Sequence, residues 1–417
     1  MATSYTLDQT WVRPFTPIVK EPSVLSTSPL VIIPRENISP KTKIYTFEFP
    51  TMSEYFLNLN SIQLFVKGQL MHDDLTVLDD GEKVYLSNAP IYSLFTSVNL
   101  TFGENQEKIV YNDYPYLSLF QLCDKTTDNS RRMLMSGYIP DDGSTGRASI
   151  RQSLVKGSQE TMFMGKIYAD ILSIDSFLLK NTPLSLQLVK AHQGFYTCAE
   201  DESKDYNFVI KQIEIHIDRI HPNPKLTDAL EMTLKNTDAI YNFDHLILKK
   251  FHIPDNVYNY NLNRLWSGKL PRRFAFSTVS QNSYQGSKAE EPMELLMTNI
   301  SKFKLKVNEI DLETIDLKQP SYVSYHKMLQ FLQAGDHTFI TKGIFDKSLT
   351  FLCFDLNVLC ANNMSCINEL APSGCLSVEI TFKTNNVHPL ILMMYAFNDA
   401  ELRIDSKRKC TITTNHS

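Results

Sequence analysis

"SVNLTFGENQEKIVYNDYPYLSLFQLCDK", Ser97 to Lys125, changes its period half-way along. Val98, Leu100 and Phe102 alternate as the inward side chains of a half-buried strand do, and Gly-Glu-Asn then turns the chain. Beyond the turn Tyr116, Leu119, Phe120 and Cys123 fall at helical spacing, with Asp113 placed as a cap and Pro115 in the first turn. The spacing predicts a short helix attached to a sheet.

The same succession returns later in the chain. "FKLKVNEI" (Phe303 to Ile310) leads to "PSYVSYHKMLQFLQAG" (Pro320 to Gly335), with Ser321 as cap, Tyr322, Tyr325, Met328, Leu329 and Leu332 at helical spacing, and Gly335 as the stop. "VKGSQETMFMGKIYADIL" (Val155 to Leu172) parallels "TKGIFDKSLTFLCFDLNVL" (Thr341 to Leu359), each with Lys-Gly before an apolar strand that carries Asp170 or Asp355. "TPLSLQLVKA" parallels "GCLSVEITFKT", and "FVIKQIEIHIDRI" parallels "PLILMMYAFNDAELRI" as a closing strand. Four matched elements in one order, about 185 to 205 residues apart, indicate an internal duplication. Elsewhere "SIQLFVKGQL", "IEIHIDRI" and "LSVEITFK" keep a period of two, so the chain is all-β and antiparallel apart from its loop helices. Sandwiches of many short strands with one or two loop helices are jelly rolls, and two in tandem, a double jelly roll, is the fold expected.

At 417 residues the chain is long enough for two cores. Residues 1–42, with Pro14, Pro17, Pro22, Pro29, Pro34 and Pro40, read as an extended N-terminal arm. The first jelly roll is expected over 43–222, a linker over 223–242 where Pro222 and Pro224 stop the sheet, the second jelly roll over 243–405, and a basic polar tail over 406–417.

Composition narrows the function. With 43% hydrophobic and 21% charged residues and a formal charge of -5, the chain lacks the strong basic balance of a dedicated nucleic-acid binder. The opening "MATSYTLDQTWVRPF" is not a secretory signal, and the longest apolar run, "HPLILMMYAF", is too short to span a membrane. Seven cysteines at irregular spacing (Cys123, Cys198, Cys353, Cys360, Cys366, Cys375, Cys410) read as reduced thiols rather than a disulfide framework or zinc knuckles. A bicupin would need two histidines at alternate strand positions, and no His-x-His occurs; His216 and His221 come nearest. No nucleophile elbow, Walker loop, dinucleotide fingerprint or zincin motif is present, so no catalytic, cofactor-binding or metal-ligating residues are assigned. "PDDGSTGRAS" reads as an exposed loop, and the Asn99 and Asn299 sequons as unmodified.

"LWSGKLPRRFAFSTVS" (Leu265 to Ser280) carries an internal basic pair that could pass for a ligand site. A strand entered through Pro271 puts Arg273, Ala275, Ser277 and Val279 on one face and Arg272, Phe274, Phe276 and Thr278 on the other. The two arginines then point apart and form no phosphate clamp; one is left to reach an acidic loop or a neighbouring subunit.

The segment around it, Phe251 to Gly286, resembles a stretch of the capsid-like proteins of Maverick/Polinton elements and adintoviruses. There Leu-[Phe/Trp]-x-Gly-x-Leu-Pro-[Lys/Arg]-Arg precedes a strand and an Asn-x-x-Tyr/Phe-x-Gly loop; here these are Leu265, Trp266, Gly268, Leu270, Pro271, Arg272, Arg273, then Asn282 and Gly286. "IYSLFTSVNLTFGEN", "SLTFLCFDLNV" and "LSVEITF" extend the similarity over residues 55–405. After Gly286 the chain departs from the pattern, with "SKAEEPMEL" where Asn-Pro-Phe is expected, so the loop there is expected to differ.

The resemblance implies a double jelly-roll major capsid protein. Three copies would form a pseudo-hexameric homotrimer, which would tile an icosahedral shell beside a vertex (penton) protein and minor capsid proteins. It would be made in the host cytoplasm, with assembly in the nucleus, and located in the virion. On that reading Trp11 and Phe15 anchor the arm at a subunit interface, Arg272 and Arg273 are further interface candidates, and Lys407, Arg408 and Lys409 of "DSKRKC" are candidate contacts to the genome. A duplicated binding or adhesion module, a minor vertex protein and a jelly-roll enzyme stay open as alternatives.

Overall fold

The structure, a computed structural model, describes residues 23–51, 53–126, 135–139, 147–317, 322–356 and 373–414. Trp11, Phe15, Ser321, Cys360, Cys366 and all of the "PDDGSTG" loop lie outside them.

Alternation of apolar residues produces four main sheets. In the first half β1 (Val24–Ile32), β10 (Tyr206–Pro222), β3 (Phe56–His72) and β7 (Thr161–Lys166) lie side by side in that order. Opposite them run β2 (Ile44–Phe49), β8 (Leu184–Lys190), β5 (Phe95–Phe102) and β6 (Glu107–Asn112), while β4 (Val84–Leu86) and β9 (Thr197–Ala199) make a short ribbon. In the second half the orders are β11 (Ala239–Ile253), β18 (Leu390–Ile404), β13 (Arg273–Ser280), β16 (Leu352–Asp355), and β12 (Asn259–Lys269), β17 (Ser373–Phe382), β14 (Ile300–Val307), β15 (Ile310–Asp316). Leaving the ribbon aside and counting strands 1 to 8 within each half, both halves read 1-8-3-6 against 2-7-4-5. That is a jelly roll made twice, with every sheet pairing antiparallel.

The second barrel closes on Trp266, Phe274, Phe276, Phe303, Phe354, Ile380 and Met394 between its sheets. The first barrel's core, around Phe47, Leu64, Leu100, Leu186 and Ile215, continues without a break into Ala275, Val279, Met393, Tyr395 and Phe397 on the outside of the second barrel. The two barrels therefore share one buried seam.

Three boundaries need correction. The segment read as part of the arm contains β1, whose Leu30 and Ile32 turn into the first core; as an edge strand bonded, among the described strands, to β10 alone it tolerates Pro29. The linker holds a helix, Pro224–Leu234, with Asn223 accepting from the Lys225 amide and Pro224 in its first turn. The tail holds β19 (Cys410–Thr414), paired to β18, with Cys410 fully buried.

Both expected loop helices form, as Tyr114–Lys125 between β6 and β7 and Tyr322–Phe331 between β15 and β16. Asp113 precedes the first in the left-handed region (φ 51°) and makes no side-chain cap, because its carboxylate is engaged across the seam. Asp170 lies after β7, in the 3-10 turn Asp170–Ser173, rather than on the strand.

Candidate assembly surfaces

The seam is built by residues from loops of the first barrel meeting the outer face of β16, β13, β18 and β11. The helix Tyr114–Lys125 is buried on all sides, and one stripe of it meets the second barrel. Phe120 stacks on Tyr395 with centroids 4.4 Å apart and lies edge-on to Phe351 at 5.2 Å, while Tyr116 stacks on Tyr284 at 5.9 Å. Asp113 receives Lys250 Nζ at 2.7 Å and Tyr284 OH at 2.8 Å.

At the far end of the stripe Asp124, 0% exposed, accepts from the Gln333 amide at 2.9 Å and lies 3.8 Å from the Arg273 guanidinium. Burial raises its carboxyl above the ordinary carboxylate value, against the pull of that amide and of Arg273. Arg273 also donates to the Phe331 carbonyl and lies over the Phe331 and Phe397 rings.

Two further carboxylates cross the seam. Asp170 accepts from the Leu246 amide at 2.8 Å, from Gln121 Nε2, and at 3.0 Å from His245 Nδ1, which must carry the proton to donate. Glu291 meets Arg151 and accepts from the Asn88 amide at 3.0 Å. Glu291 belongs to the segment "SKAEEPMEL" that departs from the family pattern, and the Lys288 carbonyl in it accepts from Ala199 at 2.8 Å. Next to it Gly194 comes so close to Gly286 that a Cβ would sit 1.7 Å from the Gly286 carbonyl oxygen, so only glycine fits.

The sequence-predicted residues separate accordingly. Arg272 and Arg273 point apart as expected: Arg272, 68% exposed, reaches Asp399 at 3.6 Å, whereas Arg273 is committed within the chain and is withdrawn as a subunit-interface residue. Arg408 is withdrawn as a genome contact, since its buried guanidinium donates to the Lys180 carbonyl at 2.9 Å and to Glu231 at 2.6 Å. Lys407 and Lys409 remain exposed in the turn before β19. Asp113, Asp170, His245 and Glu291 were not found as seam residues by sequence reasoning. Only the Asp170–Asp355 parallel pointed towards one of them.

Among the described residues, the corresponding outer face of the first barrel, on β7, β3, β10 and β1, is open. Across it run Lys166–Gln63–His216–Val31 and Met164–Phe65–Glu214 in register. Met162 and Ile33 stand 63% and 69% exposed, and Glu160 bridges Lys67 (2.7 Å) and Lys211 (2.6 Å). A cleft of about 720 Å³ opens at its edge, lined by Gln63, Met164, Lys166, His216 and, from the loop helix, Leu122 and Lys125. Among the described residues no three His, Cys, Asp or Glu gather as a metal site. Burial pushes the Cys123 and Cys353 thiols far above their ordinary value, away from nucleophilic use. No described helix is long and apolar enough to cross a membrane.

No family model and no curated protein matches the chain. Solved structures do. The chain is similar over 100% of its length to a chain of the Sputnik virophage, covering 94% of that chain at TM-score 0.65 and 11% identity. It is similar to the mavirus major capsid protein over 100% of this chain and 96% of that one, at TM-score 0.58 and 11% identity. A chain of the PBCV-1 virus capsid matches 97% of it with 99% of its own length, at TM-score 0.59 and 10% identity. The likeness runs through both barrels, at identities that speak for fold alone.

Proposed function

We propose that this chain is a viral major capsid protein that self-assembles as pseudo-hexameric trimers into an icosahedral shell. The observation that carries the reading is the end-to-end likeness of both barrels together to virus capsid chains, with neither partner leaving a substantial part unmatched. Two barrels of one topology, joined by one continuous core, would let three chains present six near-equivalent blocks, which suits hexagonal tiling. The motif from Leu265 to Gly286 supports placing it beside the Maverick/Polinton and adintovirus capsid-like proteins. In this reading the protein works in the virion after synthesis in the host cytoplasm and nuclear assembly. Its partners are further copies, a vertex protein and minor capsid proteins, with Arg272 at a subunit boundary, Trp11 and Phe15 as arm anchors, and Lys407 and Lys409 towards the genome.

Light scattering after gel filtration, with negative-stain microscopy across salt and protein concentration, tests it. Trimers of hexagonal outline or closed shells are the expected result. A chain that stays monomeric under every condition overturns the reading.

A further inference from the structure

We propose that the loop tip of the second barrel, around Tyr258, Asn256 and Asn385, binds a neutral saccharide. The site lies apart from the seam and from the outer sheet faces, within one chain. It stands or falls separately from the capsid reading, which the oligomeric state tests.

β11 and β18 carry the tip. They run together from Ala239 beside Ile404 to Ile253 beside Leu390. The helix Pro224–Leu234 and β19 lie at the first of these ends, and the loops 254–258 and 383–389 leave from the other. Asn386, 3% exposed, ties the two loops into one body. Its side chain accepts from the Val257 amide at 2.8 Å and donates to the Pro254 carbonyl at 2.6 Å and the His388 carbonyl at 3.2 Å. Its backbone carbonyl accepts from the Asn256 amide at 2.7 Å. A tip braced in this way loses little freedom when it takes a ligand.

What the tip presents is aromatic and amide. Tyr258 is 50% and Val387 76% exposed. The exposed Asn256 and Asn385 are bonded to each other, Asn385 Nδ2 donating to Asn256 Oδ1 at 3.0 Å. That bond leaves two N–H donors on Asn256 and a carbonyl on Asn385, held side by side. A donor and an acceptor at fixed separation match neighbouring hydroxyls of a sugar ring, and a phenol ring matches its C–H face. Charge points the same way. The loops of the first barrel at the same positions in the fold, 33–43 and 200–205, carry nine charged residues, whereas the tip loops carry Asp255 and Lys383. The ligand such a surface fits is uncharged and rich in hydroxyls, not a nucleic acid or a charged peptide. One open site of this kind binds weakly, at about 1 mM, and repetition on an assembly multiplies the effect.

The experiment titrates the full chain with trisaccharides of glucose, mannose, galactose and N-acetylglucosamine, read by saturation-transfer NMR of the sugar C–H protons. At least one should bind, with a dissociation constant of about 1 mM that about 0.5 M salt leaves unchanged. Tyr258→Ala and Asn385→Ala should each weaken binding at least about tenfold, and Tyr258→Trp should keep it. All three positions are exposed, so the variants are expected to melt with the native chain. No transfer to any of the four sugars overturns the proposal, as does binding that Tyr258→Ala leaves intact. A stronger response to heparin that salt abolishes would assign the tip to a polyanion and overturn it too.

Discussion

Two sheets of identical strand order, β16-β13-β18-β11 and β7-β3-β10-β1, turn different chemistry outward. In rows where the sixth strand pairs with the third, the second barrel reads Asp355–Arg273–Phe397–Leu246 and then Cys353–Ala275–Tyr395–Leu248. The first barrel reads Lys166–Gln63–His216–Val31 and then Met164–Phe65–Glu214. One face is aromatic and dry because a helix of the same chain always covers it. The other, uncovered among the described residues, mixes methionine, phenylalanine and paired charges, the composition of a face that meets water. Topology was duplicated; the outer faces were not.

The covered face should depend most on Phe120, whose ring meets Tyr395, Phe351 and Phe397 at once. Phe120→Ala is expected to cost about 3–5 kcal/mol in denaturant unfolding. Met162→Ala, on the open face, is expected to stay within about 0.5 kcal/mol of the native chain. Equal effects at the two positions would end the distinction between the faces.

Next in size is Asp170→Ala. It strips a buried carboxylate from the Leu246 amide, His245 and Gln121, all at the seam, and is expected to cost about 3 kcal/mol. Hydrogen exchange should show the loosening at Leu246 and its neighbours in β11 before it shows in the sheet of β12, β17, β14 and β15. Uniform loosening of both barrels would mean that the seam is not a unit of its own.

These residues also mark how far the sequence could be read. The inward stripe of each strand was legible because burial on one side imposes a period of two, and the duplication was legible because four such elements recur in order. β1 was hidden by Pro29 and Pro34, which weigh against a strand until it is known to be an edge. β19 was hidden by the basic run before it, since nothing local announces that Arg408 will turn inward to Glu231. Asp113 looked like a cap because a carboxylate one residue before a helix serves equally for capping and for an ion pair with a lysine 137 positions away. The difference between the outer faces was out of reach altogether, because alternation says which side chains leave the core and not what meets them.

The neighbouring arginines repeat the comparison on a smaller scale. Arg273→Ala removes a guanidinium from Asp124 and from the Phe331 and Phe397 rings, and is expected to cost about 1–3 kcal/mol. Arg272→Ala breaks only an exposed pair with Asp399 and should leave unfolding within about 0.5 kcal/mol, so that any effect appears in self-association. If Arg272→Ala unfolds the chain as readily as Arg273→Ala, both arginines belong to the fold and neither to a subunit contact.

The smallest effect expected lies on the open face and is read by pH. Hydrogen bonds from Lys211 and then Lys67 hold the Glu160 carboxyl down, at about 2 against an ordinary 4.5. A carboxylate whose value is lower in the folded chain contributes stability above the unfolded value and loses it as the pH falls towards the folded one. Melting temperature should therefore drop slightly less between pH 4.5 and 2 in Glu160→Gln than in the native chain. The group lies on the surface, so added salt should shrink even this difference. A salt-insensitive difference would mean that the face carrying Glu160 is already shielded from solvent in the free chain, which would erase the contrast between the two sheets.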